Sequence, residues 1–230
     1  MIDAAEITTE ALCRSMLDRH RDTIVVQKPD FAIRKLSVIV TAALDLSNRD
    51  GFQAMSLRDL SKASGVSMGG LYAYFDSKTT LLKMILEAVT DKVSHVLAHP
   101  PESVADDPVN HLKWLIDSHV RLTEAMQPWF SFAFLEAKNF PLTERRTAID
   151  SEILTESYFA AVIDRAVQEG RFRADVSPLL ASLIKPLLQE WYVKRWKYRR
   201  RGVSMETYIA TVQDFVLTAC LPRPESGAPV

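Results

Sequence analysis

Between Gly51 and Ser77 the chain carries a helix stop or a helix start every few residues, and that punctuation leaves room only for short helices. Gly51 followed by Phe52 reads as a stop, because glycine takes positive-φ backbone without steric cost and the apolar residue after it packs back on the last turn. Ser56 and Asp59 have the spacing of a reciprocal capping box, in which hydroxyl and carboxylate each satisfy an orphan N–H of the first turn. Leu57, Leu60 and Ala63 give that helix one apolar face, and Gly65 ends it after about two turns. Val66 can plug the core, Ser67 caps a third short helix through Phe75, and Asp76 or Ser77 caps a fourth that carries Leu81, Leu82, Ile85, Leu86 and Val89. Upstream, Ile33, Leu36, Val40, Ala43 and Leu44 recur at helical spacing. Two short helices joined by a glycine-containing turn form a helix-turn-helix.

The rest of the chain is punctuated in the same way. Asp107-Pro108 and Ser177-Pro178 each set a cap and a first helical position, while Gly170 and Gly202 mark ends. The spacing predicts helices near 108–126, 128–139, 143–169, 177–200 and 204–220, and no run of alternating β-branched residues competes with them. Seven glycines against eleven prolines in 230 residues also leave little material for hairpins. The expected fold is all-α. A Pro-rich break at His99-Pro100-Pro101 divides it into an extension (1–30), a helix-turn-helix domain (31–99) and a longer helical domain (100–230).

A formal charge of -1 gives no global attraction to nucleic acid or to a membrane surface, so any such site must be local. The only basic segment is 31–99. Cys13 and Cys220 lie near opposite ends without metal-type spacing, which fits a reducing compartment and excludes a disulfide framework. No leader or membrane-spanning run stands out, so a cytoplasmic protein is expected.

The run SLRDLSKASGVSMGGLYAYFDSKTTLLKMI, Ser56 to Ile85, resembles the DNA-binding segment of the TetR family of transcriptional repressors. The likeness rests on the capped second helix, Gly-Val-Ser in the turn, Leu71-Tyr72, the aromatic pair ending at Phe75 and Ser77-Lys78, and with the first helix it covers roughly 31–95. It implies an N-terminal three-helix DNA-binding domain followed by a C-terminal ligand-binding and dimerisation domain. By family position Arg58, Gly70 and Ala73 face the groove, while Ser67, Tyr72, Tyr74 and Lys78 grip the DNA backbone. Gly70 stands where the family often has Thr, and Tyr74 where it often has His. The Gly69-Gly70 pair costs about 1 kcal/mol per glycine in helix propensity and removes side chains from the groove, leaving more of the readout to Arg58, Met68 and Ala73. The helix starts capped at Ser56 and Ser77 offer free amides to phosphates.

Two other chemistries are written in the same residues. Gly65, Ser67 and Gly69 satisfy the G-x-S-x-G pattern of a serine hydrolase, but that motif needs a strand before it and here a charged, capped helix precedes it. Asp91, His95 and His99 are spaced i, i+4, i+8, as metal ligands can be, although histidines near a helix end also suit the dipole. No phosphate-binding loop, cofactor or metal site is expected. A helical protein-interaction module is the third reading.

In the longer domain, His119 falls in the apolar arc of the helix from Pro108, as a satisfied core histidine or as a group that orients a ligand. With Trp114, Trp129, Phe130, Phe134, Tyr158, Trp191 and Arg195 it makes up the candidate wall for an apolar or amphipathic effector. Trp191 to Arg201 crowds cations between aromatics, which suits either a solvated helix end or an anionic headgroup such as that of an acyl-CoA. The resemblance implies that the last two long helices pair with a second copy, through Leu180, Ile184, Leu187, Trp191, Val212, Phe215 and Val216. Two reading helices would then sit about 34 Å apart on a palindromic duplex. Effector binding would alter that spacing through helix 78–98. In the extension, Thr8 to Arg21 could form a helix whose Arg14, Arg19 and Arg21 reach a minor groove, or which packs on the domain, or the extension could be partly disordered.

Overall fold

The computed structural model describes residues 7–21, 24 and 28–222. Twelve α-helices and no strand occur among them: α1 (Thr9–Arg19), α2 (Pro29–Asp50), α3 (Leu57–Ser64), α4 (Met68–Leu71), α5 (Lys78–Leu97), α6 (Glu102–Ala105), α7 (Pro108–Ala125), α8 (Gln127–Leu135), α9 (Leu142–Gln168), α10 (Leu180–Val193), α11 (Arg195–Arg200) and α12 (Met205–Cys220). The described residues fall into two compact units, one of 7–94 with 122–152 and the other of 95–121 with 153–222. The unit boundaries lie inside α5, α7 and α9. Packing thus gathers residues 122–152, which follow the Pro-rich break, with the helix-turn-helix.

In the first unit α2 is the central element, packing against α1, α3 and α8. Its buried Leu36, Ile39 and Val40 meet a core that also holds Leu60, Leu71, Phe75, Leu81, Leu82 and Ile85. Gly51 stops α2 at φ +89° and ψ 143°, backbone that only glycine adopts without strain. Helix α1 joins the core through Leu12, Cys13, Met16 and Leu17. Burial pushes the Cys13 thiol up to about 12. Arg19 reaches Asp91 at 2.7 Å and Arg21 reaches Asp18 at 2.6 Å, so both guanidinium groups are engaged inside the unit. Of the readings of the extension, packing describes this helix.

Two expected helices are shorter or broken. The third runs only from Met68 to Leu71, and Tyr74 N–H then bonds Leu71 O at 2.9 Å in a tighter, three-residue step. The stretch 177–200 starts late, at Leu180, and divides at Lys194 into α10 and α11. In the second unit the core is built from Leu112, Leu115, Ile116, Phe159, Ile184, Leu188, Trp191 and Val216. Trp191 is sealed by Tyr198 and Tyr208, whose rings lie 5.4 and 4.9 Å from its own, and by the Arg195 guanidinium at 4.3 Å.

Candidate DNA-binding face

Local chemistry sets the start of each helix of the helix-turn-helix. Ser56 Oγ accepts the Asp59 N–H at 3.1 Å, and Asp59 Oδ2 accepts the Ser56 N–H at 3.0 Å. The Ser56 hydroxyl, which donates to Asp59 Oδ2, and then the Ser56 N–H hold the Asp59 carboxyl below its ordinary range. Gly65 closes α3 in the left-handed conformation at φ +66°. The turn is then tied across itself, since Ser61 Oγ donates to Val66 O at 2.6 Å while the Val66 side chain is buried. Ser67 Oγ accepts the Gly70 N–H at 3.2 Å and so caps α4. That hydroxyl is therefore a helix cap that follows another helix, which is not the strand-to-helix corner of a hydrolase nucleophile.

The exposed residues of this motif are Ser56, Arg58, Asp59, Lys62, Ala63, Gly65, Ser67, Gly69 and Tyr72, with Met68 and Ala73 half-buried beside them. Tyr72 is 52% exposed. Such a surface combines a guanidinium, an ammonium, hydroxyls and a flat glycine backbone, which are the groups that contact base edges and phosphates.

Three residues read as DNA contacts are placed differently. A Cβ on Gly70 would lie 2.9 Å from Val66 Cγ1 and 3.2 Å from Ser67 Oγ, so this glycine serves the closure of the turn. A Cβ on Gly69 would meet nothing within 4 Å. Tyr74 is only 3% exposed; its hydroxyl has no hydrogen-bond partner among the described residues, and burial pushes its pKa up. Its ring is core. The Lys78 ammonium donates to Phe52 O, Gln53 O and Met55 O at 3.1, 3.2 and 3.0 Å and lies 4.8 Å from the centre of the Phe52 ring. All three of its donors are thus used on the turn before α3, and burial lowers its pKa. Neither a phosphate grip nor a solvated lysine describes it. The partners lie 23 to 26 residues away, so no local pattern could announce the contact.

The candidate effector residues divide between the units. Trp129 and Phe130 are buried and Phe134 is exposed in the first unit, whereas Trp114, His119, Tyr158, Trp191 and Arg195 belong to the second. His119 is fully buried with its Nε2 3.3 Å from the Lys185 Nζ. Burial, reinforced by the Lys185 charge, keeps its pKa well below the ordinary value, so the neutral ring accepts from the ammonium. Lys185 is a functional candidate that sequence reasoning missed. Its only signal is a single cation in the broad apolar stripe of α10. A groove of about 280 Å³ in the second unit, lined among others by Ile163, Asp164, Val176 and Pro178, includes none of the named effector residues.

Among the proposed dimer residues, Leu180, Ile184, Trp191, Val212 and Val216 are buried within their own unit, Leu187 is half-buried, and only Phe215, at 63%, is freely exposed. Their stripe faces the chain's own core. The exposed apolar residues on these helices are Leu179, Leu183, Trp196 and Phe215. The suspected metal ligands are otherwise engaged: Asp91 pairs with Arg19, and His99 Nδ1 lies 2.7 Å from His95 O. No described helix is long and apolar enough to cross a membrane.

Comparison with known proteins bears on the same stretch. Residues 39–85 match the family described as bacterial regulatory proteins, tetR family. The HTH-type transcriptional repressor KstR2 of Rhodococcus jostii is 29% identical over 194 residues, covering 79% of this chain and 90% of that protein. Among solved structures, the TetR family regulator PfmR of Thermus thermophilus superposes with a TM-score of 0.67 at 24% identity, over 78% of this chain and 97% of that one. FadR of Bacillus subtilis, solved in complex with stearoyl-CoA, gives 0.62 at 15% identity over 80% and 98%. The chain thus carries a capped helix-turn-helix inside the segment that matches the tetR family and shares an all-helical fold with these regulators.

Proposed function

We propose that the protein is a cytoplasmic repressor that binds a palindromic operator as a homodimer and is released by an amphipathic small molecule. The observation that carries this reading is the face made by exposed Arg58, Lys62, Gly69 and Tyr72 with half-buried Met68 and Ala73, on two short helices whose caps fix them locally and on the turn after the second. Arg58 and Ala73 read base edges, Gly69 allows close backbone approach, and Ser56, Ser67 and Tyr72 hold phosphates. The division of roles is a DNA-reading part before the Pro-rich break and an effector and dimer part after it.

A second copy covers the exposed apolar residues Leu179, Leu183 and Phe215, since exposed large apolar side chains on adjoining helices favour association. For the effector, an acyl-CoA is favoured by three features. His119 and Lys185 form a buried polar pair in an apolar interior. Arg199, Arg200 and Arg201 are exposed beside Trp196 at the end of α11, offering cations and a ring to a phosphorylated headgroup. The structurally similar FadR of Bacillus subtilis holds stearoyl-CoA.

Footprinting on the DNA upstream of the protein's own coding sequence, repeated with stearoyl-CoA, tests the reading. Protection of a two-fold-symmetric site that fades with stearoyl-CoA is expected. Absence of any protected site contradicts the DNA reading, and protection indifferent to stearoyl-CoA contradicts that choice of effector.

A further inference from the structure

The turn from Gly51 to Met55, which launches α3, is held from two sides within the first unit. On one side is the Lys78 ammonium with its three carbonyl partners. On the other is α8 with the single 3-10 turn Ala137–Asn139 that follows it. Glu136 Oε2 accepts the Phe52 N–H at 3.1 Å and the Asn139 Nδ2 at 3.3 Å, and Gln53 Nε2 donates to Asn139 O at 2.6 Å. Asn48 Nδ2, at the end of α2, donates to Pro128 O at 3.0 Å. The buried Phe52 ring packs edge-on against Phe132 at 5.7 Å and Phe140 at 6.2 Å. Gly51 lies against Glu136, where a Cβ would make ordinary contact at 3.9 Å from Oε1, so glycine is called for by the φ of +89° and not by space.

This joint matters because the reading helices have little core of their own. Helix α3 buries only Leu60, and α4 only Leu71. One buried side chain anchors a helix without fixing its direction; the direction comes from the backbone that leads into it. A backbone amide bonded to a carboxylate is directional and stronger than a neutral pair. Phe132 and Glu136 are four residues apart, so they lie on one face of α8 and present ring and carboxylate to the turn together.

We propose that Glu136 is a positioning residue for DNA recognition, its carboxylate and the Phe52–Phe132–Phe140 cluster setting the direction in which α3 and α4 leave the Gly51–Met55 turn. The assignment rests on the DNA-binding dimer proposed above. In a dimer that direction fixes the separation of half-sites both copies can read. Helix α8 also carries Trp129, Phe130 and Phe134, so a displacement of that helix reaches the reading helices through one hydrogen bond and one ring cluster.

The test uses full-length protein and duplexes selected from a random pool, then a series in which the half-site separation is lengthened or shortened by one base pair. Wild type should prefer one separation. Glu136→Ala should keep the salt dependence of binding while losing about tenfold of that preference, the scale of one lost hydrogen bond to a charged group. Glu136→Gln, whose amide oxygen still accepts the Phe52 N–H, should restore most of the preference, and Phe52 amide exchange should quicken in the Ala variant alone. If Glu136→Ala does not fold, Glu136→Asp, with its carboxylate withdrawn by one methylene, gives the same readout. A lowered Tm with the separation preference intact makes Glu136 merely structural and overturns the assignment. A wild type that selects no duplex overturns the DNA reading and this assignment with it.

Discussion

The Ser56–Ser77 stretch and the α10–α12 region differ in where their structure comes from. In the first, caps, the left-handed glycine and the turn all use partners within five residues, such as Ser56 with Asp59, Ser67 with Gly70 and Ser61 with Val66. In the second, Tyr208 Oη donates to Leu187 O at 2.5 Å, Trp191 stacks on Tyr198 and Tyr208, and Gln213 Nε2 bonds Lys113 O at 2.9 Å. Locally determined helices can leave one face free for a partner, whereas helices held by distant contacts turn their apolar stripe to their own core. That is why the face proposed to read DNA stays open and why most residues expected at the dimer interface are enclosed.

The largest effect expected from this contrast is at Trp191. Trp191→Ala should destabilise the protein by about 3–5 kcal/mol in urea unfolding, because it empties a fully buried site. An effect on dimer dissociation alone would return Trp191 to an interface. Next comes Lys78. Lys78→Met should lower stability by about 2–3 kcal/mol through its charged hydrogen bonds to the turn, with the salt slope of DNA binding unchanged. Unchanged stability with a slope smaller by about one would make it a phosphate contact.

The two glycines sharpen the comparison within the motif itself. Gly70→Ala should cost about 1–2 kcal/mol, since its methyl meets Val66, whereas Gly69→Ala should gain up to about 1 kcal/mol from propensity alone. Equal effects at both positions would remove the packing role given to Gly70. The smallest effect is at Tyr74. Tyr74→Phe deletes a buried hydroxyl with no partner among the described residues and should leave DNA affinity within about twofold, with stability equal or slightly raised. A tenfold loss of affinity would restore Tyr74 as a backbone grip.

The helical fold was legible because its signals are local. Ser56-Asp59, Gly65 and Ser67 locate the boundaries of α3 and α4, and Pro108 and Ser204 the starts of α7 and α12. Propensity reasoning overran where a helix loses its regular bonding, after Leu71, after Leu135 and at Lys194, and at the late start of α10. Of the candidate site, the exposure of one part was legible. Arg58, Gly69 and Tyr72 lie at the surface, while Lys78, Glu136 and Lys185 have roles set by residues 23 to 84 positions away, which periodicity cannot pair. The dimer stripe failed for a related reason: an apolar face announces burial without saying whether the partner is the same chain or another.

The central claim is that the α3–α4 face reads DNA, and salt-titrated fluorescence anisotropy of the wild type and Arg58→Ala on a selected duplex tests it most directly. Wild-type affinity should fall steeply as salt rises, and Arg58→Ala should lose about 1–3 kcal/mol of binding and relax the preference at one base-pair position. Equal binding by both proteins, insensitive to salt and to duplex sequence, would contradict it.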